Sequence, residues 1–302
     1  MRPSSADGET SSHAFFRGMP EPCFPDYEHR PPPQLFRNSA DGKTEPSFTM
    51  LTNDQYAASI VEKYHITADS GSPQHEAADE IVPVLKKWGA KHLLGITPSG
   101  AYVKNTAITL SSDVDVLVSL SPVPNMEIKK IFWSLFEFMT EQNLTAHTRD
   151  VSVRVRWKDR NVDLIPAYRD PHTSGNVLFD KKTGAAVHTD VAQHVHLIAN
   201  SGRQQEICAL KIWRERKGLD FPSFYLELTA LRALEGERFG RLADNFQSVL
   251  RYLANKFERV VVRDPANSDN IVSNDLSEQG KRLIATAARE AVYHEDLQKL
   301  IW

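Results

Sequence analysis

The chain has little cysteine. Its two cysteines, Cys23 and Cys208, stand far apart and match no metal-ligating or redox spacing, which argues against a disulfide framework. It also lacks an apolar run long enough to span a bilayer and the apolar core of a signal peptide. The expectation is a soluble cytoplasmic protein with no membrane partner. Strong charge of either sign is missing too: 36 Lys and Arg against 39 Asp and Glu leave a net charge of −3. That weighs against a dedicated nucleic-acid binder, although a local basic patch would be hidden in the average. Contact with nucleic acid and the oligomeric state stay open. What remains is an ordinary globular composition over 302 residues, enough for one large domain or two packed lobes.

Residues 1–48 show neither a helical nor a strand period and are rich in proline, so they are expected to be a disordered extension. Patterned sequence starts near Met50. Thr52 or Asn53 suits the cap of a short helix bearing Tyr56, Ile60 and Tyr64. A second helix is predicted over 74–89, with Ala77, Ile81, Leu85 and Trp88 on one stripe, a kink at Pro83 and a C-cap at Gly89. Lys91–Thr97 reads as a strand. After a Pro122/Pro124 turn comes an amphipathic helix over 126–141. Val151–Trp157 and Asn161–Pro166 form a hairpin across a Lys158-Asp-Arg160 turn. Residues 170–200 read as loop, with His188, His194 and His196 as ordinary loop histidines. The remainder reads as helices over 202–217, from Phe221, over 241–257 and over 276–300. An α/β part at 49–200 followed by a helical part at 201–302 makes an α+β fold, and ligands favour the cleft between such lobes.

The chemistry concentrates between Pro98 and Leu120. Ser99 to Thr106 is a small-residue turn in which Gly100 lets backbone amides approach phosphates. Asp113-Val-Asp115 opens an alternating strand, so both carboxylates point to one side and Val114, Val116 and Val118 to the other. Ionising two such carboxylates together is costly unless a cation sits between them, and Mg²⁺ is the hard, phosphate-bridging candidate. Alone, Asp-x-Asp is more often a solvated strand end. The later strand adds Asp163 between Val162 and Leu164, a position that needs a partner if buried. Lys211 lies among apolar residues, either snorkelling or facing an anion. Ser223, at a helix start, suits either a cap or an anion. Tyr225 could stack on a base or fill the core. Asp264 to Asn267 is a turn expected to brace the two parts, and Thr106 to shape the glycine turn.

These segments, taken in order, resemble a family. Gly100-Ala-Tyr-Val-Lys-Asn-Thr106, Asp113-Val-Asp115 and Val162-Asp-Leu-Ile-Pro166 are similar to the DNA polymerase β-type nucleotidyltransferases. Ala209–Arg214, Phe221–Glu227, Arg263–Asn267 and Asn270–Val272 look like the oligoadenylate synthetase and bacterial CD-NTase branch, which makes linear or cyclic oligonucleotide messengers. The likeness covers roughly residues 75 to 290. It implies a polymerase β-like lobe with a mixed sheet, followed by a helical lobe. It implies that Asp113, Asp115 and Asp163 hold two Mg²⁺ ions (Mn²⁺ being an alternative). Ser99, Gly100, Ala101, Thr106, Lys211, Ser223 and Tyr225 would bind the nucleotide, with Lys211 on the triphosphate. NTPs, ATP among them, would be the substrates, an activating ligand or protein would be in keeping with the branch, and an antiphage role is implied. The family's Gly-Ser is here Gly100-Ala101, which removes one hydroxyl from the phosphate site. Two other readings fit the same residues: transfer to an RNA or tRNA 3′ end, protein or small molecule, and an inactive binder of nucleotide or RNA.

Overall fold

The computed structural model describes residues 51–67, 72–111, 113–122, 126–173 and 175–293. The expectations for residues 1–48, for Pro124 and for the end of the last helix lie outside them.

The described residues open with two helices. Asn53–Tyr64 (α1) is capped by Thr52, whose side chain accepts from the Gln55 amide while the Gln55 side chain returns to the Thr52 amide. Pro73–Gly89 (α2) has Ser72 as cap and Pro73 in its first turn, where a missing N–H costs nothing. Pro83 sits inside α2, on its exposed side, and the helix runs through it. Replacing it restores one helical hydrogen bond. Pro83→Ala is therefore expected to stabilise the protein by about 1–2 kcal/mol, the helical gain being partly offset by a freer unfolded chain; urea unfolding of the two proteins checks this.

Among the described residues the sheet has seven strands: Leu93–Ser99 (β1), Val114–Leu120 (β2), Ala146–Thr148 (β3), Val153–Trp157 (β4), Arg160–Arg169 (β5), Asn176–Asp180 (β6) and Ala185–Thr189 (β7). Its main order is β1-β2-β5-β4-β3. β2 and β5 run parallel and the other pairs antiparallel, which is the mixed sheet expected. β4 pairs with β5 only as far as Leu164, and β6 takes over that edge from Ala167.

Alternation gives the sheet two unlike faces. Val114, Val116, Val118, Val153, Val155, Val162 and Leu164 pack beneath α2 and Ile128–Glu141 (α4), around Phe132 and Leu135. Each such buried side chain stabilises by roughly 2 kcal/mol. The opposite face carries Leu117, Ala167 and Leu178 under Val191 of Val191–Ala199 (α5), while Asp115, Asp163 and Arg154 occupy its other end.

The loop expected over 170–200 is corrected. Asn176–Asp180 and Ala185–Thr189 form a hairpin, and α5 follows with Asp190 accepting from the Gln193 amide as cap. Pro171, Gly175 and Gly184 lie at or beside the turns between short strands rather than in one long loop, and Gly184 has φ +73°. His188 is thus on β7, and His194 and His196 are on α5.

Gly100–Val103 (α3) is one helical turn. Gln204–Arg216 (α6), Ser223–Ala233 (α7), Leu242–Asn255 (α8) and Glu278–Val292 (α9) build a second core around Trp213, Phe246, Leu250 and Phe257. Ala57, Ile60 and Val61 of α1 belong to that core. Although α1 falls within the expected first part, 49–200, its apolar face lies against α6 and α8. Among the described residues no helix is long and apolar enough to cross a membrane.

Candidate active site

The site is a row across the sheet. Asp115 on β2 faces Ser99 on β1 and Asp163 on β5, and Asp163 faces Arg154 on β4. In-register partners on neighbouring strands project to the same face, so the register alone joins Asp115, Asp163 and Arg154. Asp113 lies just before β2 and is drawn to the same group by Arg154.

The Arg154 guanidinium donates from Nε to Asp163 Oδ1 at 2.9 Å and from Nη2 to Asp163 Oδ2 at 2.7 Å. Nη2 also bonds Asp113. Asn161 Nδ2 donates to Asp113 Oδ1 at 3.4 Å. Asp115 has no such partner among the described residues. Burial first, and then the Asp163 charge, push its carboxyl up to about 7, against the pull of Lys104.

Gly100 has φ +69°, a left-handed conformation. A Cβ on Gly100 would lie 1.7 Å from Asp115 Oδ2. The glycine turn thus lies directly on the carboxylate. The turn is held from behind by buried charge. Lys104 Nζ donates to Glu227 Oε2 at 2.8 Å, and Lys211 Nζ to Glu227 Oε1 at 2.7 Å and Thr106 Oγ1 at 2.9 Å. Burial alone would raise the Glu227 carboxyl, but the two lysines override it and hold it at about 2. One carboxylate against two ammoniums leaves a positive charge in excess beside Asp115.

Several of the expected nucleotide ligands are buried and engaged within the protein. Lys211 is buried, and its amine is spent on Glu227, Thr106 Oγ1 and the Thr106 carbonyl. Thr106 is fully buried and fastens the turn through its amide to the Ala101 carbonyl. Tyr225 is in the core, stacked on Phe257 with ring centroids 5.2 Å apart, and is not available to a base. Long amphipathic side chains serve either role, and the packing of α6 against α7 selects the interior one here. Ser99 is buried, Ala101 partly so, and Ser223 is exposed at the start of α7, where its Oγ accepts from Arg214 Nη1 at 3.0 Å. Arg154, Lys104 and Glu227 had been given no role from sequence. The valine alternation of β4 does carry a signal for Arg154, since it faces away from the valines as Asp163 does.

The Asp264 turn braces the two halves. Asp264 accepts from the Thr189 hydroxyl at 2.8 Å and pairs with His194 Nε2 at 2.6 Å, and Asn267 Nδ2 donates to the His188 carbonyl at 2.8 Å. Two of the three histidines read as loop residues are therefore at this joint.

No family model matches the chain. Among solved structures, CdnC of E. coli MS115-1 with ATP superposes with a TM-score of 0.65 at 19% identity, over 82% of this chain and 94% of that one. The chain has the polymerase β-like nucleotidyltransferase fold of the CD-NTases. The CD-NTase CdnG of Bradyrhizobium diazoefficiens, solved with GTP, has the same TM-score of 0.65 at 12% identity, over 82% of this chain and 94% of that chain. A curated sequence relative, the cyclic AMP-AMP-AMP synthase of Escherichia coli (strain MS 115-1), is 24% identical over 206 residues, 59% of this chain. The match spans 63% of that relative's length. Within the CD-NTase fold, the row Ser99–Asp115–Asp163 lies beside the turn that follows the first strand.

As placed, no three His, Cys, Asp or Glu side chains among the described residues are grouped to hold a metal ion. The donor chemistry nevertheless fits a hard divalent cation: Asp113, Asp115 and Asp163 offer only carboxylate oxygens. Two of them already share one cation, the guanidinium of Arg154.

Proposed function

We propose that the chain is a template-independent nucleotidyltransferase. It joins nucleoside triphosphates into a cyclic or short linear oligonucleotide and releases pyrophosphate. The reading is carried by the in-register pairing of Asp115 with Asp163 directly beneath the Gly100 turn. That pairing places repelling carboxylates, costly for folding alone, beside a backbone turn able to approach phosphates. The ATP and GTP of the structural relatives favour NTP substrates, and the synthase relative favours an oligonucleotide product.

Asp113, Asp115 and Asp163 would hold two Mg²⁺ ions, which supply a lowered pKa at the attacking hydroxyl and charge neutralisation at the pyrophosphate. The chain's own residues do the positioning. The Gly100 turn receives the phosphates on its backbone. Lys104 and Lys211 fix that turn from behind and leave a positive charge near developing negative charge. Ser223, held by Arg214, offers a hydroxyl at the start of α7. Ala101 supplies only its backbone, and its carbonyl is already taken by Thr106.

The test is turnover. Purified protein is incubated with all four NTPs and Mg²⁺ or Mn²⁺, beside an Asp113→Ala/Asp115→Ala control, and products are treated with phosphatase and resolved by mass. A phosphatase-resistant oligonucleotide made by the wild type and not by the control is the expected result. A phosphatase-sensitive ladder assigns a linear product. Undiminished NTP binding by calorimetry in both proteins, with no product from either, would overturn the reading in favour of a binder.

A further inference from the structure

Two of the three proposed metal ligands, Asp113 and Asp163, are not free. Asp163 has both oxygens engaged by one guanidinium, and the same group reaches Asp113. This pairing is built into the sheet, because Arg154 and Asp163 are register partners across β4 and β5. It is a fork-to-carboxylate contact, the stronger kind of ion pair. A divalent cation bound to these two carboxylates would stand within a few ångströms of the guanidinium, and like charges at that distance repel strongly.

We infer that Arg154 is a displaceable occupant of the metal site, so that metal binding and the Arg154–Asp163 pair exclude one another. This rests on the reading above that Asp113 and Asp163 are metal ligands. An arginine cannot leave by losing its proton, so it leaves by rotation. Its side chain is 19% exposed and Asp113 is 39% exposed, which gives the guanidinium a way out toward solvent. Asp115, which Arg154 does not bond, stays open to receive a cation first.

The device has two consequences. Without metal, Arg154 bridges two carboxylates that would otherwise repel, so the site stays assembled. With metal, the free energy of breaking the pair is subtracted from the binding. If the clamped form outweighs the open one by about ten to one, the apparent metal affinity is about ten-fold weaker than the intrinsic one. A clamp of this kind keeps the site idle until a cation, alone or carried by a nucleotide, competes it away.

The test reads metal affinity rather than activity. Mn²⁺ binding to the full chain at pH 8, without nucleotide, is followed by the electron paramagnetic resonance of free Mn²⁺ for wild type, Arg154→Gln, Arg154→Lys and Asp163→Asn. Thermal melts in the same buffers confirm that each variant is folded. The expected result is Mn²⁺ bound at least ten-fold more tightly by Arg154→Gln than by wild type. Arg154→Lys, a point charge without the fork, should fall between them, and Asp163→Asn should bind worse than Arg154→Gln. Equal Mn²⁺ affinity in wild type and Arg154→Gln, with binding lost in Asp163→Asn, would overturn the clamp while leaving the metal site intact. Unchanged Mn²⁺ affinity with a raised KM for NTP in Arg154→Gln would overturn it in favour of a substrate contact. No Mn²⁺ binding by any of the four proteins, with NTP present or absent, would remove the metal reading itself and the clamp with it.

Discussion

Gly100→Ala is expected to lower the rate of the proposed nucleotidyl transfer by at least about 10²-fold, the order of loss that follows a displacement of about 1 Å at reacting groups. The added methyl would meet Asp115 Oδ2 at 1.7 Å, Cγ at 2.4 Å and Cβ at 2.7 Å. Side-chain rotation alone cannot relieve contacts with three successive atoms. β2 is hydrogen-bonded on both edges, to β1 and to β5, so the strand holds and the turn moves. An alanine at φ +69° adds strain of about 1–2 kcal/mol. The two effects are separable. Gly184 has φ +73° and open space where a Cβ would go. Gly184→Ala should carry the strain alone, with a small loss of stability and full activity. Steady-state rates and melting curves of the two variants decide the matter, and equal activity in both would show that the contact with Asp115 does not matter.

Glu227→Ala should be the most destabilising of the single changes considered, by about 3–5 kcal/mol, because it takes from two buried ammoniums the carboxylate that pairs with both. The side chains of Glu227 and Lys211 are 1% and 2% exposed, so water cannot take the place of the carboxylate. The turn should loosen as well, since Lys104 and Lys211 both bond Glu227 and Lys211 also holds Thr106. Denaturant unfolding at neutral pH measures the loss. The same residue sets an acid limit. Its carboxyl titrates at about 2 in the folded protein against an ordinary value of 4.5. A depressed carboxyl contributes stability that is complete above the ordinary value and disappears as pH falls through the folded one. Between about pH 4.5 and 2 the wild type should therefore lose stability that the Glu227→Ala protein no longer has to lose, so the gap between the two narrows across that window. A constant gap would place the titration elsewhere.

Much of the scaffold was legible in the chain. Helix periods and caps found α1, α2, α4 and the helical half, because an apolar stripe and a capping side chain are local features. The short β6, β7 and α5 were missed because each is brief and flanked by turn residues, so period gave no vote. Of the site, the carboxylates and Gly100 were legible as a spacing. The placement of Lys211 and Tyr225 was not, since a lysine or tyrosine on an amphipathic helix serves core and ligand equally well until its neighbours are known.

By itself the sequence determined which residues could share a face: Asp113 and Asp115 by the period of two, with the valines opposite. It could not determine what stands beside them, because that depends on register. Reading the hairpin turn as three residues, Lys158 to Arg160, sets Arg154 across from Leu164, with Asp163 out of line. The structure turns on Lys158 and Asp159 alone, pairs Trp157 with Arg160, and so sets Arg154 on Asp163. One residue of slip moves a side chain to the other face of a sheet. That choice was made by packing, through the burial of Val153, Val155, Val162 and Leu164 beneath α2 and α4. Tertiary structure therefore decided the register that seats Arg154 on Asp163.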